Sequence, residues 1–364
     1  MVQDIWWRLR DASTHLRDRF DVWALGGKHA LRGAAACRLG IGLSVLGLLL
    51  SNFSRRDMWI GQGSVWAEPA RAASRFPELA LLRNVSGDVL TVVYVATVLA
   101  ALALVLGWHT KAANVLTFLG FIAIVGQNPV VGTQGDNLIR LTLLWMLLMR
   151  TGEYWSLDAR RHSALAAGTR AARRAEDDVL PPWLSTGMHN VGLFGLGAQT
   201  ILVFMSGGLD KVAQPVWQHG TALYYTMQLP ESRPFPWLSD LLSSSSLVLA
   251  VLTYAVLMVQ LFFGPLLLHP LSRRLVLGLS IALSVMFAVV FAAPWSSLAT
   301  IAVTGLFVSS GTWARVDVLV RQAAGPAGDW LVLRWYDLLD LLDAGRHRFV
   351  FPAVDWVRIT VFRR

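Results

Sequence analysis

The sequence has little cysteine and little charge. Its 364 residues contain one cysteine, Cys37, which excludes an intramolecular disulfide and a thiolate metal cluster. Only 15% of the residues are charged, against roughly 25% in an average soluble domain. A chain with so few charges cannot cover a water-facing surface, so a soluble globular enzyme is not expected.

Familiar catalytic motifs are also missing. The sequence contains no HExxH, no GxxxxGK[ST] and no GxSxG, and its histidines are scattered without metal-ligand spacing. These absences argue against a protein-ligated metal site, a nucleotide site and a serine hydrolase. The net charge of +9 lies in the segments between apolar runs and not on one basic face, so nucleic acid is not an expected partner.

Long apolar runs are what the chain has in abundance, because 55% of its residues are hydrophobic. Crossing a bilayer takes about 20 such residues in an α-helix. The runs lie at about 31–52, 88–107, 112–130, 137–149, 190–209, 245–268, 275–292 and 294–310. They predict an all-α integral membrane protein, a bundle of about eight transmembrane helices with the lipid bilayer as its main partner.

The distribution of lysine and arginine gives this bundle an orientation. Cytoplasmic loops are richer in both residues than translocated loops. Here they are dense before the first run and after the second, fourth and sixth runs. We therefore expect both termini in the cytoplasm and a multi-pass protein of the cell membrane.

The same pattern divides the chain into three parts. Residues 1–30 are expected to form a basic cytoplasmic segment, 31–310 the transmembrane helical domain, and 311–364 a cytoplasmic tail. Within the tail, 330–343 has the apolar spacing of an amphipathic helix. The loop 53–87 is expected to be external and to hold a second amphipathic segment.

Ionisable residues at membrane depth are costly and are often functional. Asp136 and Arg140 are four residues apart, so they share one helix face and can neutralise one another. Either they form a structural ion pair that closes the bundle, or they line a polar pocket. Lys211, at the end of the fifth run, is the better candidate than Asp210 to face the same cavity. It acts either as a base with a lowered pKa or as a lysine that snorkels at a helix end.

Two stretches resemble the HTTM family, whose best known members are the vitamin K-dependent γ-carboxylases. One is QTILVFMSGGLDKVAQPVWQHGTALYY (Gln199–Tyr225), and the other is GDNLIRLTLLWMLLMRTGEYWSLDARR (Gly135–Arg161). Arg38 matches the arginine that opens the family's first helix. The similarity covers about 30–310 and is greatest to a short bacterial branch, the SdpB-type proteins, which implies a location in the bacterial inner membrane.

The resemblance implies a site and a ligand. Lys211 falls where the carboxylases keep the lysine that acts as base toward a reduced quinone, so a quinone-like ligand is implied. The ligand pocket is expected to include Asp136, Arg140, Trp217, Tyr224, Tyr225 and Arg38. The carboxylase histidine at the head of the fourth helix is Gly135 here, and no lumenal substrate domain is expected. We therefore do not expect an active γ-glutamyl carboxylase.

Three functions follow as hypotheses. The first is an accessory factor in the maturation or export of a small secreted peptide, as in the SdpB-type proteins. The second is a membrane enzyme, carboxylase-like or DoxX-like, that binds a quinone- or lipid-like ligand with Lys211 as base. The third is a transporter, although no clear inverted repeat is present.

Overall fold

The structure of the protein, a computed structural model, describes residues 20–57, 69, 86–128, 132–159, 181–320 and 322. These residues form helices and turns without any strand, which confirms the all-α prediction. The two predicted amphipathic segments, in the loop between residues 53 and 87 and at 330–343, lie outside the described residues.

The α-helices that position the site lie between residues 31 and 304, and the segments 53–86 and 147–181 are the longest connections between them. In chain order they are α1 (Leu31–Asn52), α2 (Gly87–Leu106), α3 (Thr110–Val125), α4 (Gln134–Met146), α5 (Pro182–Val212), α6 (Pro215–Gln218), α7 (Ala222–Gln228), α8 (Pro236–Ser243), α9 (Ser246–Leu261), α10 (Phe263–Leu266), α11 (Pro270–Val290) and α12 (Pro294–Thr304). Each of the eight predicted apolar runs overlaps one of the helices α1 to α5, α9, α11 and α12.

Proline and glycine set several helix boundaries. Pro182, Pro236, Pro270 and Pro294 each occupy the first turn of a helix, where the missing N–H has no helical partner to lose. α2 ends at Gly107, whose φ of 67° is favourable for glycine and stops the helix. α5 therefore begins eight residues before the apolar run that predicted it, at the proline and not at the first apolar residue.

Among the residues that the structure describes, four helices are long and apolar enough to cross a membrane. They are Leu31–Arg55, Gly87–Leu106, Pro182–Val212 and Pro270–Val290. A fifth candidate combines α8 and α9, which are bent by 98° relative to each other. α3 and α12 are apolar but shorter. The chain is therefore a helical membrane protein, while the total of eight spans stays a prediction.

Helices that follow one another in the chain pack antiparallel. The end of α2 lies beside the first half of α1, where Val105 approaches Gly42. The start of α2 lies beside the last turn of α1, where the Tyr94 hydroxyl donates a 2.6 Å hydrogen bond to the carbonyl of Leu49. Similar close contacts join α2 to α3, α3 to α4, α4 to α5 and α5 to α9. α12 packs antiparallel to α1, with Trp295 beside Gly47 and Ala302 beside Gly40.

This arrangement gives the bundle two ends. The Asp158 end contains the segments 26–30, 107–109, 150–158 and 267–269. The Lys211 end contains the segments 132–136, 213–245 and 291–295.

The core consists of three buried clusters. The largest buried cluster is built from α1 to α4 and α12, with Phe121, Leu143 and Val303 fully buried. A second cluster joins α5 to α9, α10 and α11 around Phe263. A third, at the Lys211 end, joins α7 to the start of α9 and the end of α11. The remaining outer faces carry large exposed apolar side chains, as expected for surfaces that contact lipid.

Candidate functional site

Lys211 lies in the last turn of α5 and is partly buried. Its Nζ atom donates a 3.2 Å hydrogen bond to the carbonyl of Gly207 and lies 5.2 Å from the centre of the Trp217 ring. A cation at that distance is attracted by the ring face. Lys211 forms no ion pair with a described carboxylate. Since an ammonium group has three donors, two of them remain for another acceptor.

Gln260, at the end of α9, faces the same region. A Cβ atom placed on Gly207 would lie 3.4 Å from Gln260 Oε1 and 3.8 Å from Lys211 Nζ, so the two polar atoms flank one small space. Gln260 Oε1 is buried and has no hydrogen-bond partner among the described residues. Gly207, which has no side chain, lies between these two polar atoms.

The next residue, Gly208, explains why α5 and α9 come so close. A Cβ atom there would lie 2.7 Å from the backbone nitrogen of Leu261, closer than atoms approach in real structures. Glycine therefore allows the end of α9 to rest on the α5 backbone, which positions Gln260 beside Lys211. We call the group of Lys211, Gln260, Trp217 and Gly207 the Lys211 site.

The Lys211 site combines a cation, an unpaired acceptor and an aromatic wall. It can hold a group that both accepts from the ammonium and donates to the amide oxygen, while the indole contacts an apolar body. Among the described residues, no group of three His, Cys, Asp or Glu side chains could hold a metal ion.

Tyr224 and Tyr225, predicted to line the pocket, lie on α7 and are exposed. Their rings contact each other at 5.7 Å between centroids. α7 is held to the bundle by its other face, through Leu223 and Met227. The structure brings Lys211 and Trp217 together but shows no contact of either tyrosine with Lys211.

Asp136 is buried, and it caps a helix. Its Oδ2 atom accepts from the backbone N–H of Thr133 at 2.7 Å and from the hydroxyl of Thr133 at 2.9 Å. Thr133 in turn accepts from the backbone N–H of Asp136, which completes a capping box at the start of α4. Arg140 donates instead to Asn137 at 2.7 Å. The two residues therefore form no ion pair with each other, although their spacing allows one.

Arg140 and Lys211 face different directions. Trp145 of α4 donates to Gln199 of α5, and this pair marks the faces that meet between the two helices. Since each helical residue turns by about 100°, Arg140 points about 140° away from Trp145 and Lys211 about 120° away from Gln199. Asp210, about 20° from Gln199, is the residue on the α4 side. Lys211 faces α9, so the structure does not bring it together with Arg140.

Arg38 is fully buried at the opposite end of the bundle. Its guanidinium donates to the carbonyls of Leu104 at 2.6 Å, Val105 at 2.8 Å, Trp155 at 2.7 Å and Thr151 at 3.1 Å. Two of these carbonyls belong to the last turn of α2, and the other two follow α4. Arg38 thus closes helix ends at the Asp158 end and is not part of a pocket with Asp136, which begins α4.

Asp158 satisfies backbone N–H groups at the start of α3, as Arg38 satisfies carbonyls at other helix ends. Its carboxylate accepts from the backbone N–H groups of His109 and Thr110, at 3.0 Å and 2.8 Å, and from the Thr110 hydroxyl at 2.7 Å. A carboxylate at a helix N-terminus is favoured by the helix dipole. Lys111 donates to the carbonyls of Leu147 and Met149 after α4, each at 2.8 Å.

A family model for the HTTM domain matches residues 32–313, about three quarters of the chain. The chain belongs to the HTTM domain family. No curated protein and no solved structure matches the chain significantly. The closer resemblance to SdpB-type proteins therefore stays a prediction.

The HTTM domain of this chain holds polar residues that the sequence analysis did not single out. His189 is fully buried, receives the backbone N–H of Arg150 at its Nδ1 atom, and bonds the carbonyl of His29 through Nε2 at 2.7 Å. Asn190 follows it and is equally buried. Gln260 is a polar residue inside an apolar run. A single polar residue in such a run is the sequence feature that could have indicated its role.

Proposed function

We propose that this HTTM protein binds an amphiphilic, quinone- or lipid-like ligand at the Lys211 site. The polar head would lie between Lys211 and Gln260, and the apolar body against Trp217. One observation carries the proposal: a buried, unpaired amide oxygen lies beside a lysine that forms no ion pair with a described carboxylate.

The energetics favour an occupant with a hydroxyl or acidic head. Leaving a buried acceptor unpaired costs about 1–3 kcal/mol, and a charge beside lipid adds to that cost. A head group that donates to Gln260 Oε1 and accepts from Lys211 Nζ offsets the cost of the unpaired acceptor and the cost of the charge. A phenol, a quinol or a protonated acid has this combination, whereas a purely apolar lipid does not.

The enzyme hypothesis uses the same residues. A partly desolvated lysine can remove a proton from a bound hydroxyl, and Lys211 is close to the space where that hydroxyl would lie. Arginine at position 211 keeps the positive charge but does not deprotonate in proteins. Lys211→Arg should therefore retain ligand and lose turnover if Lys211 is a base, and should retain both if it only binds.

Native mass spectrometry of the protein released from detergent micelles tests the binding. We expect an adduct on the wild type that is lost or strongly reduced in Lys211→Gln and in Gln260→Leu. Ser206→Ala is the matched control, because Ser206 is an exposed residue of the same helix whose hydroxyl donates to the carbonyl of Val203 within α5. Equal adducts in all four proteins, or no adduct on the wild type after reconstitution with a mixed quinone and lipid extract, would contradict the proposal.

We also propose eight membrane spans with both termini in the cytoplasm. The antiparallel sequence of α1 to α5, α9, α11 and α12 supports this count. The basic residues near the Asp158 end support its cytoplasmic position, since Lys28 and Arg150 lie in its segments and Lys111, Arg273 and Arg274 lie near the start of the helices that begin there. Labelling of single cysteines at Gly132 and His269 with a membrane-impermeant reagent should report opposite sides of the cell membrane. Labelling from the same side would overturn the topology.

The accessory role in maturation or export of a small secreted peptide and the role as a transporter stay predictions. The first rests on the resemblance to SdpB-type proteins. Deleting the gene and measuring the amount of active secreted peptide tests it, with complementation by Lys211→Gln to connect that role to the Lys211 site.

A further inference from the structure

α8 leaves the direction of the membrane-crossing helices. It is bent by 98° relative to α9, which packs along the candidate span α5. A helix perpendicular to the spans lies parallel to the membrane surface. α8 is at the Lys211 end of the bundle, so the surface concerned is the one at that end.

α8 is not needed to complete a span. α9 ends at Leu261, and the short helix α10 follows after Phe262, so the two helices cover residues 246–266. At 1.5 Å per residue this stretch can extend to at most about 31 Å, which is close to the hydrocarbon thickness of about 30 Å. The bent pair is therefore better described as one span with an in-plane helix before it than as a broken span.

The apolar face of α8 is only half covered by protein. Leu238 and Leu242 pack into the third buried cluster. Trp237 and Leu241, one helical position away, are 67% and 62% exposed. The remaining face carries Asp240, which forms an ion pair with Arg233.

The uncovered face of α8 continues into the surface of a membrane span. Leu247 and Val251 of α9 are 73% and 57% exposed, and they begin within six residues of Leu241. Large apolar residues on the outside of a membrane-crossing helix contact lipid. The aromatic ring of Trp237 has the amphipathic character that favours the headgroup region next to them.

We propose that α8 is an interfacial helix whose Trp237 and Leu241 insert into the lipid leaflet at the Lys211 end. Its partner is thus the bilayer surface itself, and its polar face, with Asp240, is turned to water. The proposal is independent of the ligand at the Lys211 site.

Nitroxide labels on single cysteines test this arrangement in the full chain reconstituted in lipid vesicles. Cys37 is replaced by alanine in the background, and labels are placed at Trp237, Leu241 and Asp240, the last as the matched water-facing position. Collisions with molecular oxygen, which is concentrated in hydrocarbon, are compared with collisions with a water-soluble nickel chelate.

At positions 237 and 241 we expect oxygen to collide several-fold more often than the chelate, with a depth of about 5–10 Å below the headgroups. At position 240 the ratio should be reversed. A preference for the chelate at 237 and 241 would overturn the proposal, because it would place this face in water. Protection from both reagents would also overturn it, because it would mean that a partner protein or a second copy covers the face.

Discussion

The side-chain amide of Asn190 donates a 2.7 Å hydrogen bond to the carbonyl of Gly27, a residue 163 positions earlier in the chain. The same Nδ2 atom lies 2.9 Å from the carbonyl of Ala24 and 3.2 Å from that of Trp23. Asn190 Oδ1 accepts from the backbone N–H of His29 at 3.1 Å. One buried amide on α5 therefore holds the segment that leads into α1.

Asn190→Leu should release this segment, because it removes the donor and the acceptor together. We expect faster amide hydrogen exchange for residues 23–29, measured by mass spectrometry in micelles, while α5 itself stays protected. Asn190→Asp should have the same effect, since a carboxylate cannot donate to carbonyls. The control is Asn137→Leu, at an exposed position of α4. Unchanged exchange in both Asn190 variants would show that other contacts hold the segment.

Arg38→Met should destabilise the protein strongly. It removes the donors to four carbonyls at buried helix ends, and each unsatisfied group costs about 1–3 kcal/mol, so a loss of about 3 kcal/mol or more is expected. Arg38→Lys should restore little of it, because one ammonium cannot match the planar guanidinium. Unfolding in SDS, followed by circular dichroism, measures the change. Arg274→Lys, at an exposed position, is the control. Equal stability of Arg38→Lys and Arg274→Lys would contradict the role of Arg38 as the donor to these carbonyls.

The neighbouring glycines at 207 and 208 should respond differently to alanine. Gly208→Ala places a Cβ against the backbone of Leu261 and should lower the unfolding free energy by about 1–3 kcal/mol through overpacking. Gly207→Ala meets ordinary contacts with the side chains of Gln260 and Lys211, so it should preserve the fold while reducing ligand occupancy. Thermal unfolding and native mass spectrometry of the two variants separate these effects. The reverse order of stabilities would refute the close approach of α5 and α9.

The cap of α4 should matter more than the charge of Arg140. Thr133→Ala removes the hydroxyl of the capping box and should cost about 1 kcal/mol. Arg140→Gln removes a cation whose described partner is Asn137 alone, and it should change stability by less than about 0.5 kcal/mol. It should also leave the ligand adduct intact, because Arg140 faces away from Lys211. A loss of the adduct in Arg140→Gln would favour the larger pocket expected from the sequence.

Much of the fold could be predicted because membrane helices are encoded locally. Each apolar run overlaps a helix, since a segment in lipid has to satisfy its backbone internally. The proximity of Lys211 and Trp217 was also predictable, because they lie six residues apart around a helix end.

The partners of the buried polar residues could not be predicted in the same way. Arg38 and Asn190 bind carbonyls that are 66 to 167 positions away in the chain, and no local pattern encodes those distances. The spacing of Asp136 and Arg140 permits an ion pair, but the backbone N–H groups at the start of α4 compete for the carboxylate. The position of Gln260 depends on the contact of α9 with α5, and Gly208 allows this contact to be close.

The buried guanidinium of Arg38 also constrains the order in which the chain can assemble during synthesis. The carbonyls of Thr151 and Trp155 are made 113 and 117 residues after Arg38. Until they are available, α1 carries a partly unpaired cation, which is unfavourable at membrane depth. The first helix should therefore remain beside the translocation machinery, or tilt its arginine toward water, until α4 has emerged, and the first four helices then settle in the bilayer as one unit.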